Sequence, residues 1–227
     1  VTLNSFWSSV NGGSGSFDPK IVYDTASHRY IFTAIDDRDA GNGIVIGVSA
    51  TENPLGTWYQ WKIDGDPGNT DWADFPSIGF NDRWIAVSAN MYTISGSSFV
   101  EPKMWVFDKA DAYANTLDVV GIFDGTDFDL GSGDGFTIAP CVTYGTGSEL
   151  YTIDSGWSSG PDNLVRVGRI TGPVGSPSWG LASGGGVGGG YFEVPDHLGV
   201  GDAPELGGAG LIDNGDTRIS SPPVFRH

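Results

Sequence analysis

Three short segments of the chain share one pattern: a proline, then apolar residues at alternate positions, then an aromatic. They are Pro19-Lys20-Ile21-Val22-Tyr23, Pro76-Ser77-Ile78-Gly79-Phe80 and Pro140-Cys141-Val142-Thr143-Tyr144. Ser221-Pro222-Pro223-Val224-Phe225 is a weaker fourth copy. A fixed pattern at a period of about 60 residues means a repeated supersecondary unit.

The same succession of elements follows each proline strand. In the first unit strands are predicted at Lys20–Asp24, Arg29–Ile35, Gly43–Ala50 and Thr57–Ile63. In the second they fall at Pro76–Phe80, Arg83–Asn90, Lys103–Asp108 and Leu117–Phe123, with Asn81-Asp82 as a two-residue hairpin turn. In the third they fall at Ile138–Tyr144, Glu149–Asp154, Leu164–Ile170 and Trp179–Ala182. Each unit therefore reads as a four-stranded antiparallel meander, and tandem units of this kind are propeller blades. The fold class expected is all-β, of β-propeller type, with about three blades plus the inner strand of a fourth. The repeats span about 17–64, 74–124, 134–183 and, in part, 216–227 of a single propeller-like domain. A β-sandwich or β-solenoid is the alternative; the four-strand period favours the propeller.

Composition agrees. Glycine occurs 36 times and proline 13 times, too many breakers for a helical bundle. The aromatic share of 12% argues equally against disorder. Three blades and a strand do not close a ring, so apolar blade faces would stay open at both ends. The segment Val1–Ser9, with Leu3, Phe6 and Trp7, is expected to be the last strand of a preceding blade. The chain is then a piece of a longer protein, or copies assemble, most simply as a homodimer that completes a propeller.

Acidic residues number 28 against 11 basic ones, a net charge of −17. That balance repels nucleic acid and anionic membrane surfaces and favours cations as charged partners. No run approaches the ~18 apolar residues of a membrane span. The single cysteine, Cys141, excludes an internal disulfide and reads as a buried, inert thiol. The chain starts at Val1 and carries no basic-then-apolar leader, which fits a processed chain; the Gly-, Ser-, Asp- and Trp-rich composition fits an extracellular one.

Phe17-Asp18-Pro19-Lys20-Ile21-Val22-Tyr23-Asp24, Arg29-Tyr30-Ile31, Ile46-Gly47-Val48-Ser49 and Gly56-Thr57-Trp58-Tyr59 together resemble a family of secreted bacterial β-propeller-like domains. Asp74-Phe75-Pro76-Ser77-Ile78-Gly79, Asp216-Thr217-Arg218-Ile219 and Val224-Phe225-Arg226 extend the resemblance along nearly the whole chain. It implies a propeller fold and a secreted or surface setting within larger proteins. It transfers no catalytic residues.

The chemistry must therefore come from the residues. No nucleophile elbow and no phosphate-binding lysine loop is present. The glycine run Gly184–Gly190 lacks both a following helix and a lysine, and reads as a linker. One aspartate precedes each inner strand: Asp18, Asp74, Asp134 and Asp216. In a propeller these positions surround the central channel, so four carboxylates distant in sequence would converge there, although each could instead cap its own turn. His197 and His227 are the candidate bases or metal ligands among the histidines; His28 lies in a turn facing solvent. The loop holding Asp64, Asp66, Asn69 and Asp71 spaces oxygen ligands suitably for Ca2+ or another divalent cation, or is a plain polar turn. Asp36-Asp37-Arg38-Asp39, with Arg38 among the carboxylates, and the group Asp124, Asp127 and Asp129 are further candidates. Trp72, Tyr92, Trp157 and Trp179 could stack on sugars or pack between blades.

Two functions follow. One is an extracellular hydrolase whose water is activated by a metal or a carboxylate at the channel, acting on an ester, phosphoester or glycoside. The other is a non-catalytic, calcium-braced module that binds a glycan or a protein.

Overall fold

A computed structural model describes residues 1–13, 15–39, 41–129, 135–155, 163–183, 189–195, 203–204, 211–212, 219 and 221–225. The first sheet is an antiparallel meander of β1 (Phe17–Asp24), β2 (Arg29–Ile35), β3 (Gly43–Ser49) and β4 (Trp58–Asp64), in that spatial order. The second meander runs β5 (Asp71–Phe80), β6 (Trp84–Thr93), β7 (Phe99–Asp108) and β8 (Val119–Phe123). The third is built on β9 (Ala139–Pro140), β11 (Leu150–Asp154), β12 (Leu164–Thr171) and β13 (Ser178–Leu181). β14 (Tyr191–Glu193) also pairs with β12, and β15 (Ala203–Pro204) pairs with β16 (Leu211–Ile212). The protein is all-β and propeller-type, and its strands lie close to the predicted ones.

Stacking of the sheets explains their apolar runs. One core lies between the first and second sheets, with Ile31, Ile46 and Val48 facing Ile78, Val87 and Trp105. A second lies between the second and third, with Trp84, Val106 and Phe123 facing Leu150 and Ile170. β3 and most of β6 are buried because core material lies on both of their faces.

The third inner strand is not continuous. It breaks at Cys141 into β9 and β10 (Val142–Thr143). β9 pairs with β11 in its own sheet, whereas β10 pairs in parallel with β5 at Val142↔Phe80. β17 (Val224–Phe225), the expected start of a fourth unit, lies parallel to β10 on its other side. Inner strands of three units thus run side by side. Gly79 permits this, because a Cβ there would sit 2.5 Å from the carbonyl oxygen of Cys141. In the β5–β6 hairpin Asn81 pairs with Trp84, so the turn itself is Asp82-Arg83, one residue beyond the predicted one.

The amino-terminal expectation is overturned. Leu3–Asn11 is a helix, α1, capped by the Thr2 side chain at one end and by left-handed Gly12 at the other. Leu3, Phe6, Trp7 and Val10 follow helical spacing and cover the outer face of the first sheet at Ala34 and Val45. That face needs no second copy, which removes the premise of pairing through Val1–Trp7. At the opposite end, Phe225 of β17 stacks on Tyr151 at 4.0 Å.

Candidate functional site

β1 contains a bulge at its start, between Phe17 and Lys20, and β5 contains one near its middle, between Asp74 and Ser77. At each bulge the residue before the proline is left-handed: Asp18 at φ 50° and Phe75 at φ 52°. In the third unit the left-handed residue is Thr137, φ 53°, three residues before Pro140 rather than next to it. Asn90 fixes it there, accepting from the Thr137 N–H and donating to the Thr137 hydroxyl, both at 2.8 Å. A side-chain-bearing residue in such a region costs about 1–3 kcal/mol and persists where its surroundings demand it. Here the strain collects on one face, where the inner strands start.

An aromatic row crosses that face. Ring centroids are 6.3 Å apart for Phe17 and Trp72, 5.6 Å for Trp72 and Tyr92, 5.8 Å for Tyr92 and Phe99, and 5.2 Å for Phe99 and Phe136. The row joins all three units. It rises from Trp72, 5% exposed, to Phe99, 40% exposed. The Arg38 guanidinium lies 4.6 Å from the Trp72 centroid and 5.2 Å from that of Phe17. The Lys20 ammonium lies 5.3 Å from the Phe75 ring, linking the two bulges.

Asp18 and Asp74 both lie here, but they are not equivalent. Asp18 matches Phe75, while Asp74 matches Phe17, one residue earlier. Asp18 is exposed and has no hydrogen bond or ion pair among the described residues. Asp74 is half-buried and accepts from the Phe75 N–H at 2.9 Å. Asp134, Asp216, His197, His227 and Trp157 lie outside the described residues.

The other acidic candidates are used locally. Asp66 accepts from the N–H groups of Gly68, Thr70 and Asp71 and from the Thr70 hydroxyl. Burial pushes its carboxyl up, but these donors outweigh burial and hold it below the usual range. Asp64 accepts from the Asp66 N–H, and Asn69 donates to the Pro67 carbonyl. Both oxygens of Asp66, which the sequence offers to a cation, are thus occupied by its own loop. Asp36 is buried and pairs with Lys62 and Asn11, not with Arg38, which leans on the aromatics instead. Asp124 and Asp127 form a capping box on the short helix α2 (Gly125–Phe128). Among the described residues no three His, Cys, Asp or Glu side chains gather closely enough to hold a metal.

The remaining sequence candidates are structural. His28 meets Tyr23 and Glu52 in an exposed turn. Trp179 donates to Thr152 and packs edge-on to Phe128. Burial pushes the Cys141 thiol up to about 12, so it stays protonated.

Sequence reasoning misses two buried ion pairs. Arg166 meets Asp154 directly across the β11–β12 ladder at 2.8 Å. Lys109, just after β7, meets Asp24 at the end of β1, with the Tyr113 hydroxyl on the same carboxylate oxygen. The last pair joins two sheets, and only their stacking reveals it.

No family model and no curated protein matches the chain. Several solved glycoside hydrolases resemble it weakly. A GH43 β-1,3-galactosidase is 13% identical at a TM-score of 0.38, over 72% of this chain and 31% of that one. An exo-β-1,3-galactanase from Clostridium thermocellum is 11% identical at 0.37, over 73% and 35%. A native arabinanase from Bacillus subtilis is 17% identical at 0.39, over 79% and 65%. The chain spans about a third of the length of the first two and 65% of the third. Likeness at this level carries no argument about the chemistry of this chain.

Proposed function

We propose that this chain is an extracellular hydrolase that cleaves a glycoside bond at the face where its inner strands begin. The observation that carries the reading is Asp18: an exposed carboxylate, without a partner among the described residues, on a left-handed backbone at the head of an aromatic row. Flat apolar faces of sugar rings stack on such a row, which orients the bond to be cut. An ionised carboxylate beside it takes a proton from water as the water attacks the anomeric carbon. Glycoside cleavage uses two carboxyl groups. Asp74, anchored by the Phe75 N–H in the neighbouring sheet, is the second, giving a proton to the leaving oxygen as the glycosidic C–O bond breaks.

Turnover of a panel of aryl glycosides and oligosaccharides tests the reading. Asp18→Asn is expected to lower kcat by roughly 100- to 10,000-fold while KM changes little. Unchanged kcat in that variant overturns the assignment. The aromatic row supports one other reading, a non-catalytic carbohydrate-binding module. Glycan binding that Tyr92→Ala weakens, without turnover of any substrate, would favour it.

A further inference from the structure

The opposite face, where the inner strands end, holds a second arrangement that the proposed reaction does not use. A cavity of about 280 Å³ opens there between the β1–β2 turn, the β5–β6 turn, Lys109 and the segment that follows β10. Three units contribute to it through the last residues of their inner strands: Asp24, Phe80 and Thr143. Asp18 and Asp24 are six residues apart on one strand, so this cavity is about 20 Å from the strand-start face.

Its polar groups are unevenly satisfied. Asp24 accepts from Lys109, Tyr113 and the N–H groups of Ala26 and Ser27, at 3.0 to 3.2 Å, which fills its acceptor capacity. Lys109, 8% exposed, gives one N–H to Asp24 and has no other hydrogen-bond acceptor among the described residues. The Thr143 hydroxyl, in a residue 2% exposed, has no partner among the described residues. An unpaired buried hydroxyl is costly, and it is rare unless something outside the chain completes it. Tyr144, 41% exposed, stands at the rim edge-on to Phe80, with centroids 6.1 Å apart.

These groups define the ligand. It must accept from an ammonium and pair with a hydroxyl. It must also tolerate a site whose lysine charge is already balanced by Asp24. The net charge of −17 works against a free anion. Tyr144 offers an apolar ring to lie against. The volume lies just below the range of ligand cavities, about 300–1,000 Å³, and suits a single ring.

We infer that this cavity is a binding site for one uncharged sugar unit, held by Lys109 and Thr143 and covered by Tyr144. It anchors a glycan on the face away from the proposed reaction and does not depend on that reaction.

Saturation-transfer NMR and titration with free aldohexoses and aldopentoses test the inference, with acetate as an anion control. The wild-type protein is expected to bind at least one sugar at roughly millimolar Kd. Thr143→Val is expected to weaken that binding at least about tenfold without lowering Tm, because the hydroxyl it removes has no partner in the fold. Tyr144→Ala should weaken it too, and Asp18→Asn should leave it unchanged. The inference is overturned if no sugar binds, if acetate binds in place of sugars, or if binding survives both substitutions. A lowered Tm in Thr143→Val also overturns it, since the hydroxyl would then be satisfied within the fold. Loss of turnover in Asp18→Asn bears only on the other face, so the two readings fail separately.

Discussion

Lys109 holds its ammonium 3.0 Å from the carboxylate of Asp24, a residue 85 positions earlier and 1% exposed. The pair fastens the second sheet to the end of the first inner strand. Removing one partner leaves the other charged and buried. Asp24→Leu or Lys109→Met is expected to cost about 3–5 kcal/mol, while the double variant should recover much of that loss. Urea unfolding of the two single variants and the double variant gives the coupling energy; simple additivity would mean that the pair fastens nothing.

The same cluster sets a pH window. Burial pushes the Asp24 carboxyl up, but Lys109, the Ser27 N–H and the Tyr113 hydroxyl outweigh it and hold it below the usual range. A depressed carboxyl stabilises the fold above the unfolded value, near 3.9, and that stability is lost as pH falls through the folded value. The Tyr113 phenol is pushed up, first by burial and then by the Asp24 charge. A raised phenol stabilises the fold below its unfolded value, near 10, and the contribution is lost as pH rises beyond it. Tm against pH should therefore fall below about pH 4 and above about pH 10. Tyr113→Phe should flatten the alkaline limb and, because it removes one donor to Asp24, also reduce the acid limb in part.

Gly79 sits where the second and third inner strands touch, and a Cβ would meet the carbonyl oxygens of both Pro140 and Cys141 at 2.5 Å. Backbone on both sides cannot swing away as a side chain would. Gly79→Ala is expected to destabilise by about 1–3 kcal/mol, read as a lower urea midpoint. An unchanged midpoint would mean that the two strands can separate freely.

Trp7 is fully buried under α1, its ring 3.2 Å from the position of a Cβ on Gly47. Trp7→Ala is expected to cost about 3–5 kcal/mol. Trp7→Phe should cost much less, because the indole N–H has no partner to lose among the described residues. Deleting residues 1–11 exposes Ala34 and Val45, so that variant should self-associate in sedimentation more than the full chain does.

Strand positions were legible in the sequence because each depends on local alternation and on turn residues. Pro19, Pro76 and Pro140 mark the inner strands, and the breakers between runs set the meander. The helix at Leu3–Asn11 was equally local: Thr2, the spacing of Leu3, Phe6, Trp7 and Val10, and Gly12 all signal it, although a strand reading of the same aromatics hides it. The bulges are different. Whether Asp18 or Phe17 aligns with Asp74 depends on one extra residue in each ladder, and a bulge has no obligatory residue. The pairing of Lys109 with Asp24, the turn of Arg38 away from carboxylates onto Trp72, and the cavity at Thr143 depend on how sheets stack. Hydrophobic burial that drives stacking is non-directional, so only the packed tertiary structure decides which polar groups it brings together.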